Sequence, residues 1–127
     1  MLLENSNNFL GKLHDFNTGE ALGALGGNMS LYQSILRRFT GKYRNMGETI
    51  NELIASAKVE DLCREAHTMK GLGGSLGIPY MQESAKALEM ACKEKDPDLA
   101  SIKTLADAFL ADLDRALQTI DEALPPV

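Results

Sequence analysis

Glu65-Ala66-His67-Thr68-Met69-Lys70-Gly71-Leu72-Gly73-Gly74-Ser75-Leu76-Gly77 is the stretch whose reading decides the fold. Wound as a helix at ~100° per residue, it continues an apolar stripe made by Val59, Leu62, Ala66, Met69, Gly73 and Leu76. His67 lies roughly 130° from the centre of that stripe, so its imidazole is expected in solvent. Gly71 follows one turn along and Gly74 two turns along, while Lys70 is within side-chain reach of the ring. An exposed histidine thus stands beside a cation and above a strip of bare backbone. The strip is costly, because a glycine inside a helix loses ~1 kcal/mol relative to alanine. Close approach of another macromolecule to the imidazole is the simplest use of the missing side chains. The bland alternative, on spacing alone, is a loop from Gly71 to Gly77 with His67 as a surface residue near a helix end.

Upstream of this stretch, Tyr32, Ile35, Phe39, Tyr43, Met46, Ile50, Leu53 and Ala57 repeat at three- and four-residue steps and predict one long helix opened by Asn28 to Ser30. Gly41 and Gly47 are where it is expected to weaken or bend. Before it, Thr18 to Leu25 reads as a short helix with Thr18 as N-cap and Gly26-Gly27 as its stop. Phe9, Leu10, Leu13 and Phe16 read as a helical turn covering one end of the core. Ala55 to Lys58 holds the turn before the His67 helix. Downstream, Gly77 closes that helix and Pro79 suits the first turn of the next. Ile78, Met81, Ala85, Leu88 and Cys92 form the next stripe, with Lys86, Glu89 and Lys93 at its sides. After a break at Lys95-Asp96-Pro97, the same periodicity runs from Leu99 to about Ala123, and Pro125-Pro126 stops it. No segment alternates with period two. The prediction is an all-α protein, an antiparallel up-down-up-down four-helix bundle capped at one end by short N-terminal helices.

The chain has 127 residues, enough for one core, and reads as a single domain over 1–127, with 1–16 as an N-terminal extension and 17–124 as the helical core. Its net charge of −5 argues against nucleic acid as the main partner. Cys63 and Cys92 form no Cys-x-x-Cys pair and are expected as reduced, packed thiols in a cytoplasmic protein. The start has no basic run followed by an apolar one, so no secretory signal is read there, and no stretch reaches the ~20 apolar residues needed to span a bilayer. Met1 and the terminal Pro125-Pro126-Val127 suit a free-standing chain. Arg37, Arg38, Lys42 and Arg44 make a basic run that reads first as solvated surface and second as a docking patch. His14 has no ligand-type neighbours in sequence and reads as a surface or packing histidine.

His67-Thr68-Met69-Lys70-Gly71, followed by small residues and Leu76-Gly77, resembles the signature of histidine-containing phosphotransfer (HPt) domains. Ala21 to Gly27 and then Leu31 to Phe39 resemble that family's lead-in segment and first long helix. Ala87-Leu88-Glu89 resembles the paired Leu-Glu of the helix after the histidine. The likeness covers roughly residues 16–123. Gly73-Gly74 departs from it, since Ala or Ser is common there in relatives, and this puts the length of the helix in question. The resemblance implies a phosphocarrier. His67 is then the phosphoacceptor through Nε2, although the residues themselves do not choose between ring nitrogens, and Lys70 offsets phosphoryl charge. The expected partner-contacting residues are Arg64, Thr68, Gly71, Gly74 and Ser75. The implied partner is the receiver domain of a response regulator or hybrid sensor histidine kinase, which would carry the aspartate and Mg²⁺. No cofactor or metal is expected on this chain itself, and it is expected to be monomeric.

The chemistry suits these residue types. Phosphoryl on an imidazole nitrogen is a reactive phosphoramidate, and its formation needs an accessible neutral ring nitrogen and a cation near the equatorial oxygens. Rival readings fit less well. The Gly71 to Gly77 run lacks the Gly-x-Gly-x-x-Gly spacing and follows a helix rather than a strand, and no Gly-x-x-x-x-Gly-Lys-Ser/Thr is present, so an ATP-using kinase is disfavoured. Two histidines without Glu-x-x-His or Cys-x-x-Cys-His disfavour a metal or haem bundle. A helical adaptor that binds a receiver without carrying phosphate stays open as the alternative.

Overall fold

Stripes at three- and four-residue steps can be buried only against one another, and the chain folds as helices accordingly. The computed structural model describes residues 8–124. Helical residues 8–12 (α1) precede α2 (Thr18–Ala24), α3 (Met29–Tyr43), α4 (Met46–Ala55), α5 (Val59–Leu76), α6 (Pro79–Cys92) and α7 (Leu99–Ala123), and there is no strand among the described residues. Residues 1–7 and the stop read at Pro125-Pro126 lie outside them. The most extensive packing is between α5 and α6, and the next between α6 and α7. The α5–α6 pair is antiparallel: Gly73 lies against Gln82, and His67 against Glu89. The chain from Arg44 through α4 likewise runs opposite to α7, with Arg44 at Asp121 and Asn51 at Lys103. One apolar cluster joins the helices, with Phe9, Leu13 and Phe16 packed into it from the N-terminal turn.

The α5 helix runs unbroken through its glycines to Leu76, and the loop alternative falls. Leu62, Ala66, Met69, Gly73 and Leu76 are buried, and Val59 packs partly against them. Burying a Leu or Met side chain contributes about 1.5–3 kcal/mol, so this face outweighs a loss of ~1 kcal/mol per glycine. Gly77 ends the helix at φ +76°, and a Cβ there would stand 2.6 Å from the Asn17 carbonyl oxygen. Three carbonyls at this end of the helix find partners. Gly73 accepts from the Ile78 N–H at 2.8 Å, Leu76 from the Tyr32 hydroxyl at 2.9 Å, and Gly77 from the Asn17 N–H at 2.7 Å. The lead-in segment is thereby stitched to the end of the His67 helix. Pro79 opens α6 at its first turn, as expected.

Several sequence expectations are corrected. The long helix is two, α3 and α4, parted at Arg44-Asn45 rather than bent at Gly41 or Gly47. Arg44 keeps helical dihedrals, at φ −60° and ψ −32°, but Asn45 lies at φ −104° and ψ 20°, and the helix is interrupted there. An apolar pattern senses side-chain direction and is blind to such a break. Within the seam, Leu36 is buried where Ile35 is half-buried, and Ala57 is exposed rather than packed. Ala57 takes the left-handed position after α4 at φ +54°, where the Lys58 N–H reaches the Leu53 carbonyl at 2.9 Å. Thr18 is the first helical residue of α2 and Asn17 its cap. Asn28 does cap α3, accepting from the Leu31 N–H at 3.0 Å, and Asp98 caps α7. The α6 helix ends at Cys92, with Lys93 as its C-cap, just before the 95–97 break.

Candidate functional site

His67 is raised from α5 on the face opposite its stripe, with its side chain 66% exposed. Across the α5–α6 interface, Glu89 projects from α6 beside the buried Ala85, Leu88 and Cys92, and is only 3% exposed. Its carboxylate is the hub of the site. Oε2 accepts from His67 Nδ1 at 2.7 Å and from Lys93 Nζ at 3.0 Å, while Oε1 accepts from Lys70 Nζ at 2.7 Å. Lys70, with Lys93 and His67 adding to it, holds the Glu89 carboxyl down to about 2 from its ordinary 4.5, against the opposing effect of burial.

This arrangement selects a tautomer. An ionised carboxylate only accepts, so the proton of the neutral ring is on Nδ1. Nε2, on the far side of the ring, is left with its lone pair toward solvent. A buried carboxylate saturated by three donors also stops the ring from turning. The result is a fixed, exposed imidazole nitrogen on a ring that shares its carboxylate with two ammonium groups, an arrangement suited to a nucleophile for an anionic electrophile.

Beside the ring is an open groove of about 460 Å³ lined by Cys63, Arg64, His67, Thr68, Glu89 and Lys93. Arg64 is exposed and paired with Asp61 one turn back. Thr68, Gly71, Gly74 and Ser75 are exposed along the same helix. The bare strip itself is narrower than the glycine count suggests. A Cβ on Gly73 would stand 2.8 Å from the Gln82 nitrogen and 2.9 Å from its Cα, so this glycine serves helix–helix contact. One on Gly74 would meet the flexible Gln82 amide at 2.9 Å, and one on Gly71 would meet nothing within 4 Å. Gly71 is therefore the glycine that leaves open surface beside His67.

The other candidates lie apart from this constellation. His14 Nδ1 contacts Asp15 at 2.5 Å, and Asp15 is bound by Arg115, whose guanidinium lies 4.0 Å over the Tyr80 ring. Two members of the basic run are engaged within the chain: Arg44 is bidentate to Asp121 at 2.9 and 3.0 Å, and Lys42 lies over Tyr43. Both cysteines are free, and burial pushes the Cys92 thiol up to about 11. Among the described residues, no three His, Cys, Asp or Glu side chains are grouped to hold a metal, and no helix is long and apolar enough to cross a membrane.

Sequence reasoning brought His67 and Lys70 together but overlooked Glu89 and Lys93 as parts of the site. A signal existed. Glu89 sits between Ala85, Leu88 and Cys92 at helical spacing, so its carboxylate borders the buried stripe, and Lys93 follows at i+4. What spacing within α6 could not supply is the register that brings this carboxylate opposite His67.

Comparison with known proteins gives one further finding. The model of the Hpt domain family matches residues 34–123, a span that holds His67, Lys70, Glu89 and Lys93. No curated protein and no solved structure matches the chain.

Proposed function

Because this chain belongs to the Hpt domain family, whose members are histidine phosphocarriers of phosphorelays, we propose that it carries a phosphoryl group on Nε2 of His67. It receives the group from the phosphorylated aspartate of a receiver domain and returns it to another such aspartate. The observation that carries this reading is the His67 ring, 66% exposed and tethered through Nδ1 to the buried Glu89. In transfer, Nε2 attacks phosphorus in line with the leaving carboxylate oxygen, and Lys70 and Lys93 stand near enough to counter charge on the equatorial oxygens. Mg²⁺ belongs on the receiver, beside its aspartate. Gly71 admits the receiver's surface, with Arg64, Thr68, Gly74 and Ser75 around it. We read α3 with α4, α5, α6 and α7 as the four antiparallel rods of the bundle, a reading supported by the two antiparallel pairings above. In keeping with its family the chain is a carrier rather than a kinase, and we place it in the cytoplasm as a monomer.

The test is transfer from a receiver domain phosphorylated on its aspartate, followed by label on the chain. Wild-type protein is expected to take label and to return it to an empty receiver, through a bond labile in acid and comparatively stable in alkali. ATP with Mg²⁺ alone is expected to give none. His67→Gln should abolish labelling with its circular dichroism unchanged, and His14→Gln should not. Undiminished labelling of His67→Gln would sink the assignment. Receiver binding with no label, across a panel of receivers, would favour the adaptor alternative.

A further inference from the structure

Glu89 is an expensive acceptor for a ring that only has to be held still. A neutral amide oxygen would accept the Nδ1–H and leave no charge to bury. Glu89 instead carries a carboxylate at 3% exposure, with Lys70 at 2.7 Å and Lys93 at 3.0 Å to offset it. What separates a carboxylate from an amide in this position is its response to the charge of the ring. When Nε2 attacks the donor's acyl phosphate, the N–P bond forms, the O–P bond breaks, and the electron pair leaves with the donor carboxylate. If Nδ1 keeps its proton, the phosphorylated ring is then a cation. A carboxylate at 2.7 Å stabilises that cation through a charge-assisted hydrogen bond, and an amide does so far less.

We propose that Glu89 is a positioning residue for the phosphorylated state: its carboxylate keeps the proton on Nδ1 of phospho-His67, so that the phosphoryl group stays on a ring able to depart as neutral imidazole. The inference rests on the carrier reading and deepens it. In onward transfer the N–P bond breaks, its electron pair returns to Nε2, and the new O–P bond forms on the acceptor carboxylate. The Nδ1 proton remains where it was throughout. Without that proton the leaving group would be an imidazolate, which is much poorer. The groups facing the ring are Lys70, Arg64, Thr68 and Cys63 from α5 and Glu89 and Lys93 from α6. The cations among them oppose a cationic ring, and Glu89 is the one acidic side chain among these groups, its carboxylate 2.7 Å from Nδ1. It does not take the proton itself, since Lys70 above all holds its carboxyl down to about 2.

The experiment uses the full chain phosphorylated with potassium phosphoramidate. Phosphoryl loss is followed by phosphorus NMR from about pH 6 to about pH 9, with nitrogen-labelled histidine reporting the Nδ1 proton. Glu89→Gln is expected to shift both profiles to lower pH by roughly one unit or more, the effect of removing an opposite charge at this distance. Phosphoryl loss above both midpoints should then be about ten-fold slower. Lys93→Met removes a competing cation and should shift the profiles the other way. If Glu89→Gln fails to fold, Glu89→Asp, which keeps the charge but draws it back from the ring, carries the test through a smaller shift in the same direction. Profiles that stay with wild type in the folded variants overturn the proposal. A wild-type chain that takes no phosphoryl group on His67 overturns the carrier reading beneath it, so the two failures are distinguishable.

Discussion

Two glycines on one helix, separated by a single residue, should respond oppositely to the same substitution. Gly71→Ala and Gly73→Ala each gain ~1 kcal/mol of helix propensity. At Gly71 the new methyl meets nothing within 4 Å, so that gain should appear in full. At Gly73 it would stand 2.8 and 2.9 Å from the backbone nitrogen and Cα of Gln82, atoms that cannot turn aside. The α5 and α6 helices must therefore part along their largest interface, at an overpacking cost of about 1–3 kcal/mol. The propensity gain cancels between the two variants, and their difference isolates the steric cost. With a urea slope of about 1–3 kcal/mol/M, the unfolding midpoints should be separated by roughly 1 M, with Gly71→Ala above wild type. Far-UV circular dichroism in urea reads this directly. Parting the helices also draws Glu89 from His67, so Gly73→Ala should slow labelling even while folded. Coincident midpoints for the two variants would refute the close helix approach as the reason for Gly73.

Ala57→Gly relieves a left-handed residue at φ +54° and should stabilise by about 1 kcal/mol, seen as a melting temperature a few degrees higher. An unchanged melting temperature would mean that the turn relaxes at no cost. Lys70→Ala removes an ammonium 2.7 Å from Glu89 and should slow transfer from a phosphorylated receiver on the order of 10-fold to 100-fold while changing docking little. Equal transfer rates with and without Lys70 would refute its role. Because the Glu89 carboxyl is lowered on folding, its ionic stabilisation is complete above its ordinary 4.5 and is lost as pH falls toward about 2. The urea midpoint of wild type relative to Glu89→Gln should therefore fall across that window, and a constant difference would show that Glu89 is not held as described.

The periodicity of apolar residues was enough to find the helices, because a residue's direction on a helix follows from its number alone. Leu62, Ala66, Met69 and Leu76 are buried and His67 is exposed as the wheel requires. Gly77 and Pro79 were legible as punctuation for the same local reason, since left-handed backbone and a missing N–H act on one residue at a time. The break at Arg44-Asn45 was not legible, because the apolar pattern runs on undisturbed across it. Nor was the division of labour among Gly71, Gly73 and Gly74, which look alike in sequence and differ in what lies across from them. The exposed histidine and its neighbouring cation were therefore determined by the sequence, since His67 and Lys70 lie three residues apart on one helix. The ring nitrogen left free was decided by tertiary structure, because the carboxylate that holds the other nitrogen comes from α6 and reaches it only through the antiparallel register of two packed helices.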